Sequence, residues 1–421
     1  MVCSLARCMI PPEGHGRHQA AESLGSEQVA PSTSSRQVTA PGRRAAAASL
    51  PFATLNFITL VGDLLMPLSV GIIGCGRMGQ QYVDVYNTLP GTELVAIAEH
   101  NPERRRVVGE RFGINALFAD AREMLAHVTP DVVAVVLPGK YIHDAVLAAV
   151  EAGVRGVSTD KPIGAVLADV DEMVDACAEA GIVFGGGNLQ RAMTSVQQAA
   201  NRLQAGEFGE IIGASVHRYG GEISGGGCQH IAVLRRLTGA EVTEVIAWGE
   251  PAEALQQESD EGLQINGQFR LSNGLVCPVF PRDTPHRGVD VWTQDALVRW
   301  DWGDPQIFTG LDDNGQRIEI DPNYAPAEYP QFTYLGTSIQ SFISVVERGV
   351  EHENELFISG RDLRQSLEVA IAAKHSALRG SVPLSLPLED RSLSLHPVDY
   401  RWLGGDQSGR PQTLDEAAGN A

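Results

Sequence analysis

Cysteine, positive charge and uninterrupted apolar sequence are all scarce in this chain of 421 residues. The cysteines show no metal-ligand spacing, so we expect reduced thiols, with neither a disulfide framework nor a metal site. Lysine and arginine total 32 against 52 aspartates and glutamates, giving a formal charge of −20. Such a surface repels nucleic acid and anionic membranes, and we expect neither as a partner. The six cysteines are Cys3, Cys8, Cys75, Cys177, Cys228 and Cys277.

The first 65 residues differ in composition from the rest of the chain. A mostly apolar stretch over 45–65 follows Arg43-Arg44, which superficially resembles a twin-arginine export signal, but no clear polar break and small-residue cleavage site follows. A transmembrane helix is disfavoured because polar residues and a proline interrupt the stretch. We favour a disordered or non-native leader over 1–65, a fold that begins at Met66 and a cytoplasmic protein, with export as the alternative. The interrupting residues are Pro51, Asn56 and Asp63.

A glycine-rich turn follows the first apolar strand, which begins at Leu68. Gly74 permits a tight turn, Gly76 lets the backbone approach a pyrophosphate, and Gly79 lets the next helix pack closely on the strand. Glu99 lies twenty positions after the last glycine, at the end of a second short apolar run, where a ribose hydroxyl would bind. This pattern predicts a dinucleotide-binding βαβ unit. Its expected cofactor-binding residues are Gly74, Cys75, Gly76, Arg77, Met78, Gly79 and Glu99.

The choice of cofactor depends on Glu99. A carboxylate there accepts hydrogen bonds from the ribose diol and repels a 2′-phosphate, which favours NAD. Arg104, Arg105 and Arg106 keep NADP possible, although Asn101-Pro102 is expected to begin a helix that carries them away.

The hydrophobic periodicity changes at about Asn188. Before it, apolar strands alternate with helical patterns, which predicts a doubly wound parallel sheet. After it, residues 263–271 alternate with a period of two, and Asn273-Gly274 supplies a hairpin turn, which predicts antiparallel sheet. The fold class is therefore α/β, an N-terminal Rossmann domain joined to a C-terminal α+β domain. The expected segments are a leader 1–65, a Rossmann domain 66–188, a C-terminal domain 189–403 and a loose tail 404–421.

Thr159-Asp160-Lys161-Pro162 follows the run V-E-A-G-V-R-G-V-S, and here the chain resembles the Gfo/Idh/MocA oxidoreductases over about residues 68–387. The resemblance implies an open, mostly antiparallel sheet in the C-terminal domain. It also implies NAD(P)-dependent hydride transfer at a hydroxyl carbon of a sugar, a polyol or a derivative. We further expect a homo-oligomer formed through the C-terminal sheet.

Lys161 follows a strand at the carboxyl edge of the parallel sheet, where open α/β folds bind ligands. We expect it to contact cofactor and substrate and to assist loss of the hydroxyl proton as a catalytic residue. Three further positions are expected to contact the cofactor by resemblance, although two depart from the family pattern. Asp160 replaces the usual glutamate, and His143 lies one position after the usual histidine site, which Ile142 occupies. The three are Pro138, His143 and Asp160.

The family's later motif, an aspartate and then a histidine four residues on, is altered in S-G-G-G-C-Q-H. Gln229 takes the histidine position, His230 follows it, and a glycine replaces the acid. A one-residue shift would bring His230 into the site as a catalytic and substrate-binding residue, with Glu222 or Tyr219 as its orienting group. A solvent-facing helix-start residue is the alternative.

The segment after the last Rossmann strand supplies further candidates. The family places residues that touch cofactor and substrate in this segment, so the resemblance implies that Asn188 contacts the cofactor and that Gln190 and Arg191, together with Gln229, contact the substrate. Amide and guanidinium groups also suit a polyhydroxylated ligand. Arg191 could instead pair with a carboxylate. Four tryptophans at strand spacing are interpreted as sheet packing or a dimer face rather than sugar-stacking platforms. They are Trp248, Trp292, Trp300 and Trp302.

Two functions compete with the dehydrogenase. One is a glycosidase that uses NAD for transient oxidation. The other is a cofactor-bound sensor or assembly subunit without turnover, a hypothesis favoured by the missing acid.

Overall fold

A computed structural model of the protein describes residues 66–281 and 286–398. The expected leader and loose tail lie outside these ranges. None of the helices in these two ranges combines the length and the apolar character needed to span a bilayer.

The first domain is a six-stranded, wholly parallel sheet in the order β3-β2-β1-β4-β5-β6. Its strands are β1 Leu68–Ile73, β2 Thr92–Ala98, β3 Leu117–Phe118, β4 Val132–Val135, β5 Gly156–Thr159 and β6 Val183–Gly186. Its helices are α1 Arg77–Thr88, α2 Pro102–Phe112, α3 Ala121–His127, α4 Ile142–Ala152 and α5 Leu167–Glu179. Every residue of β4, β5 and β6 is buried, as expected for strands covered by helices on both faces. The doubly wound sheet is therefore confirmed, and its strand order reverses between β1 and β4.

The second domain contains a nine-stranded sheet in the order β14-β13-β12-β11-β7-β10-β9-β8-β15. Its strands are β7 Ile211–His217, β8 Val242–Glu250, β9 Gln264–Leu271, β10 Val276–Val279, β11 Gly288–Thr293, β12 Ala296–Trp300, β13 Gln306–Leu311, β14 Arg317–Ile320 and β15 Leu384–Ser385. The further helices are α6 Thr194–Gln204, α7 Gly226–Thr238, α8 Ala252–Gln256, α9 Thr333–Arg348 and α10 Gly360–Leu378. All pairs are antiparallel except β10 with β7, which confirms the mostly antiparallel sheet.

The predicted hairpin turn joins β9 to β10. Gly274 adopts a φ of +88°, which favours glycine, and the Leu271 N–H donates to Leu275 O at 2.8 Å across the turn. The Asn273 side chain accepts from the Leu275 N–H at 3.2 Å. The turn fixes the register that buries alternate residues of β9.

Helix α9 follows the second sheet in sequence but packs on the first domain. Its buried residues Ile339 and Phe342 share a core with Tyr82 and Tyr86 of α1. Gly156 in β5 allows this approach, because a Cβ there would lie 2.6 Å from a methyl group of Val346. The chain therefore returns to the Rossmann domain after forming the second sheet.

Candidate functional site

The glycine turn after β1 has the geometry that its sequence predicts. Gly74 has a φ of +91°, and a Cβ there would lie 2.4 Å from Val136 O. At Gly79 a Cβ would lie 2.0 Å from Gly74 O, so only glycine lets α1 pack this closely. At Gly76 a Cβ would meet no atom within 4 Å, because the residue faces an open cleft. The backbone of Gly76 can therefore be approached by a ligand.

That cleft lies at the point where the strand order reverses. The turn after β1 forms one wall, and the residues after β4, including Pro138, form the other. Helix α1 begins here at Arg77 without a side-chain cap, so its first N–H groups can bind an anion. The residues that line the cleft are Gly74, Gly76, Arg77, Met78, Gly79, Glu99, His100, Arg104, Val136, Leu137 and Pro138.

Glu99 is held firmly at the edge of the cleft. Its side chain is buried, and one carboxylate oxygen accepts from the Cys75 N–H at 2.8 Å. The other accepts from the Asn101 N–H at 2.9 Å. Burial raises the pKa of the Cys75 thiol, so this residue contributes its backbone N–H rather than a thiolate. The carboxylate of Glu99 is thus oriented by the same turn that faces the cleft.

The three neighbouring arginines do not all leave the cleft. Helix α2 begins at Pro102, as expected, and the Asn101 side chain caps it by accepting from the Arg104 N–H at 2.9 Å. Arg104 nevertheless turns back, so that its guanidinium lies 3.3 Å from Glu99 Oε1 and lines the cleft. Arg106 does leave and pairs with Glu103 on the helix surface. Arg105 also stays, since its Nη1 donates to Glu99 O at 2.6 Å. The expectation that the helix carries these arginines away is therefore wrong for Arg104 and Arg105.

Asp160 joins the loops that follow β5 and β6. It is buried, and its Oδ1 accepts from the Lys161 N–H at 2.7 Å and the Asn188 N–H at 3.3 Å. Burial raises the pKa of this carboxyl, and the charge of Lys161 opposes the rise. The aspartate therefore reaches two backbone groups despite its shorter side chain. Asn188 in turn lies beside α1, with its Nδ2 at 3.8 Å from Met78 Sδ.

Lys161 lies at the carboxyl edge of the parallel sheet and is only partly buried. Burial raises the pKa of Cys228, near the start of α7, to about 12, and the nearby Lys161 charge acts against that rise. The Lys161 charge therefore acts on the first turn of α7, to which Cys228 belongs.

Gln229 links α7 to the segment that follows β6. The Gln229 amide accepts from the Gln190 N–H at 2.6 Å and donates to Asn188 O at 2.8 Å. The Gln190 side chain accepts from Trp300 Nε1 at 3.1 Å. Both glutamines are buried, so these contacts hold α7 on the Rossmann domain. The expected substrate contacts of their side chains remain a prediction.

Arg191 and His143 lie outside the cleft, and each is next to a carboxylate. The Arg191 guanidinium donates to Phe357 O at 2.8 Å and lies 3.3 Å from Asp362. Burial lowers its pKa to about 10, opposed by the Asp362 charge, so the carboxylate-pairing alternative describes its position. His143 lies on α4, where Nε2 is 2.9 Å from Glu172. Neither residue lines the cleft beside the glycine turn.

His230 lines a second cavity, of about 500 Å³, beside the start of α7. Its ring centroid lies 5.9 Å from that of Tyr219 and 5.7 Å from those of Trp300 and Trp302. Among the described residues neither ring nitrogen has a hydrogen-bond partner. Burial lowers its pKa to about 4, so the imidazole is neutral at neutral pH and can accept a proton. The solvent-facing alternative is thus inconsistent with the burial of His230.

Several residues of this cavity escaped the sequence analysis. Arg218 and Trp302 both adopt a φ of +57°, a strained conformation that is uncommon outside glycine. Arg218 follows β7 by one residue and Trp302 follows β12 by two residues. A position just after a strand is the only feature of the sequence that could have indicated a site residue here. The Arg287 guanidinium lies 4.9 Å above the Trp302 ring. Trp302 is therefore a cavity residue, whereas Trp300 fits the packing interpretation. The full lining is Arg218, Gly220, Gly221, Glu222, Gly226, Gly227, His230, Glu261, Gly262, Arg287 and Trp302.

Asp260 supplies a buried acid near the start of α7. Its Oδ2 accepts from both the N–H and the hydroxyl of Ser224 at 2.6 Å, while Oδ1 has no partner among the described residues. Burial raises its pKa to about 6. The carboxyl interacts electrostatically with Tyr219, which is fully buried. The sequence offers Glu222 and Tyr219 as substitutes for the missing acid, whereas no motif marks Asp260.

The state of His230 gives a pH-dependent stability. Its pKa is about 4 in the folded protein and about 6.5 in an unfolded chain, so the unfolded chain binds more protons between these two pH values. The contribution of the neutral His230 to the free energy of unfolding is therefore complete above pH 6.5 and is lost as the pH falls towards 4. Between pH 7 and pH 5 we expect the wild type to lose about 2 kcal/mol more than His230→Asn. Urea unfolding at both pH values measures this, with the exposed His352→Asn as control; equal losses in wild type and His230→Asn would contradict it.

Comparison with known proteins finds one family model that matches the first domain, and related proteins. Residues 68–187 match the model of an oxidoreductase family with an NAD-binding Rossmann fold, GFO_IDH_MocA. A D-apiose dehydrogenase of Paraburkholderia graminis is 31% identical over 138 residues, 33% of this chain and 36% of that protein. The scyllo-inositol 2-dehydrogenase (NAD(+)) of Bacillus subtilis is 23% identical over 340 residues, 76% of this chain and 96% of that protein. Residues 68–187 therefore match the Gfo/Idh/MocA oxidoreductase family, the family that the motifs of this segment resemble.

A solved structure shows that the similarity of fold extends over both domains. An inositol dehydrogenase homologue from Azotobacter vinelandii, complexed with NADH and myo-inositol, superposes with a TM-score of 0.64. It is 17% identical, and the match covers 76% of this chain and 98% of that one. The matches to the first two curated relatives span only 36% and 41% of their lengths.

Proposed function

We propose that the protein is an NAD-dependent dehydrogenase that oxidises a hydroxyl carbon of a sugar or polyol. The observation that carries this is a continuous series of contacts between the two cavities. Met78 in the glycine-turn cleft contacts Asn188, and Asn188 O accepts from Gln229, the residue before His230. These contacts connect the cleft proposed for the cofactor to the cavity that contains the neutral His230.

The cleft fits a dinucleotide by its own geometry. The open space above Gly76 and the uncapped start of α1 suit a pyrophosphate, and Glu99 would hold the ribose diol. When bound there, NAD⁺ supplies the hydride acceptor. The carboxylate of Glu99, fixed by the Cys75 N–H, supports NAD over NADP, although Arg104 beside it could pair with a 2′-phosphate.

Side chains of the protein would accept the hydroxyl proton of the substrate and orient its oxygen. The neutral imidazole of His230 can accept the hydroxyl proton, and the Lys161 ammonium can orient the hydroxyl oxygen. The Trp302 ring, with Glu222 and Glu261 in the same cavity, suits a ligand that has both C–H faces and hydroxyl groups. The names of the relatives, which include D-apiose and scyllo-inositol dehydrogenases, support a sugar or polyol.

The test is NADH formation across a panel of aldoses, polyols and inositols. The proposal expects NADH from at least one of them. Release of free sugar from glycosides without net NADH would favour the NAD-dependent glycosidase. Tight NAD binding with no NADH from any compound would favour the sensor or assembly subunit, and either result would contradict the proposal.

Glu99 provides a test of cofactor choice. Glu99→Ser removes the carboxylate and releases Arg104 to pair with a 2′-phosphate, so we expect the preference to shift at least tenfold towards NADP. The dissociation constants of both cofactors measure it. Glu103→Gln, an exposed acid that pairs with Arg106, should leave the ratio unchanged. An unchanged ratio in Glu99→Ser would mean that this residue is not at the ribose.

The homo-oligomer remains part of the proposal. Strands of the second sheet expose large apolar side chains, including Ile212, Trp248 and Ile318, with exposed fractions of 57, 51 and 45%. A second copy of the sheet would cover such residues. A monomer mass in light scattering would contradict this part.

A further inference from the structure

Three potential metal ligands from separate segments converge on the second sheet. The Nε2 atoms of His217 and His286 each lie 3.7 Å from Oδ2 of Asp290. The two imidazole rings have centroids 4.0 Å apart and planes inclined at 43°. At 3.7 Å neither nitrogen makes a hydrogen bond to the carboxylate. The three donor atoms all lie within 4.8 Å of one another.

The strands hold two of these ligands rigidly. His217 is the last residue of β7, opposite Gly288, and Asp290 on β11 lies opposite Ser215. Both are nearly inaccessible, with exposed fractions of 8 and 3%. His286 lies immediately before β11, so a short segment brings its ring to the same point. Such a site is largely formed before any ligand binds.

The donor set and its spacing suit one kind of ligand. In a tetrahedral site with bond lengths of about 2.0–2.2 Å, neighbouring ligand atoms lie roughly 3.3–3.6 Å apart. The observed separations of 3.7 Å need only a small contraction. We propose that His217, His286 and Asp290 bind one divalent transition-metal ion of the zinc class. Two imidazoles and one carboxylate are a common zinc donor set.

The surroundings of the three ligands support metal binding in one way and oppose it in two. Arg299 donates to both oxygens of Asp290 at 2.8 Å and so orients the carboxylate, although its charge reduces the attraction for a cation. The hydroxyl of Ser215 lies 2.6 Å from His217 Nε2 and would have to rotate away.

The location suggests what the metal would do. Arg218 and Arg287, the residues directly after the two histidines, both line the cavity that contains His230. A bound ion would tie the start of β11 to the end of β7 and hold these two side chains in place. The role is that of a positioning site, outside the groups that would transfer protons.

The experiment uses the full chain after treatment with a chelator. Titration with Zn²⁺ by calorimetry, and with Co²⁺ by visible absorption, should show one equivalent of metal that is lost in His217→Asn and in His286→Asn. Ser215→Ala should bind at least as tightly as the wild type. His352→Asn is the matched control, because His352 also lies beside a carboxylate and an arginine but outside the cluster. Zn²⁺ should raise the melting temperature of the wild type and of this control.

Absence of Zn²⁺ and Co²⁺ binding in the wild type would overturn the proposal, as would binding that survives both histidine substitutions. If His217→Asn fails to fold, as circular dichroism would show, His286→Asn decides, because its ring is about 30% exposed and its loss disturbs less packing. None of these readouts depends on dehydrogenase activity, so the metal site and the proposed function can fail independently.

Discussion

Replacing Lys161 with alanine is expected to lower turnover by roughly 10² to 10⁴ while NAD affinity stays within a few fold. The residue lies at the carboxyl edge of the parallel sheet, and its charge reaches the first turn of α7. The ammonium would act on the substrate hydroxyl, whereas the glycine turn and Glu99 would hold most of the cofactor. Steady-state kinetics together with a direct NAD titration separate the two effects.

Lys140→Ala is the matched control. Lys140 is an exposed lysine in the turn after β4, at the same edge of the sheet, and its ammonium lies 5.1 Å from the Tyr141 ring. Its removal should leave turnover within a few fold of wild type. Loss of both turnover and NAD affinity in Lys161→Ala would indicate general damage to the pocket, and retained turnover would contradict the mechanism.

The second large effect is expected for His230→Asn, which should lower turnover by roughly 10² or more. Asparagine is close in size but cannot accept the hydroxyl proton as an imidazole does. Because the pKa of His230 is about 4, the acidic limb that this residue imposes on the wild-type profile should lie near that value rather than near 6.5. This limb should be absent from the residual activity of the variant. Rate profiles between pH 4 and pH 9 measure both changes.

His143→Asn distinguishes the two histidines that the sequence offered. His143 lies on α4 beside Glu172, outside both described cavities, so its loss should leave turnover unchanged. Normal turnover in His230→Asn, together with a large loss in Tyr219→Phe or Asp260→Asn, would assign the proton transfer to the buried Tyr219 and Asp260 near the start of α7. In that case His230 would serve only to fill the aromatic cluster.

Local signals account for the parts of the fold that could be predicted. The glycine turn, the apolar run of β4 and the Asn273-Gly274 hairpin each depend on a few adjacent residues, and all three are observed. Strands β13 and β14 carry no such signal, because they are mostly exposed and show little apolar alternation. The return of α9 to the Rossmann domain depends on long-range packing against α1, which periodicity does not report.

Candidate site residues could be predicted only where they follow the end of a strand in a recognisable sequence pattern. Glu99 and Asp160 occupy such positions, and the structure brings each against a cleft or its supporting loop. Asp260 and Arg287 lie in segments without a motif, and only the tertiary fold places them near the cavity of His230. Arg191 has a side chain suited to a polyhydroxylated ligand and lies in the segment expected to contact the substrate. Its guanidinium instead pairs with the buried Asp362, which lies far away in sequence.

The most direct test of the account is the fate of the hydride. The full chain is incubated with NAD⁺ and with sugars and polyols that carry deuterium on every hydroxyl-bearing carbon, and the reduced cofactor is analysed by mass spectrometry. The account predicts NADH that contains one deuterium, formed by the wild type and reduced at least a hundredfold in Lys161→Ala. Failure of every compound to yield deuterated NADH, in a protein shown to bind NAD⁺, would contradict it.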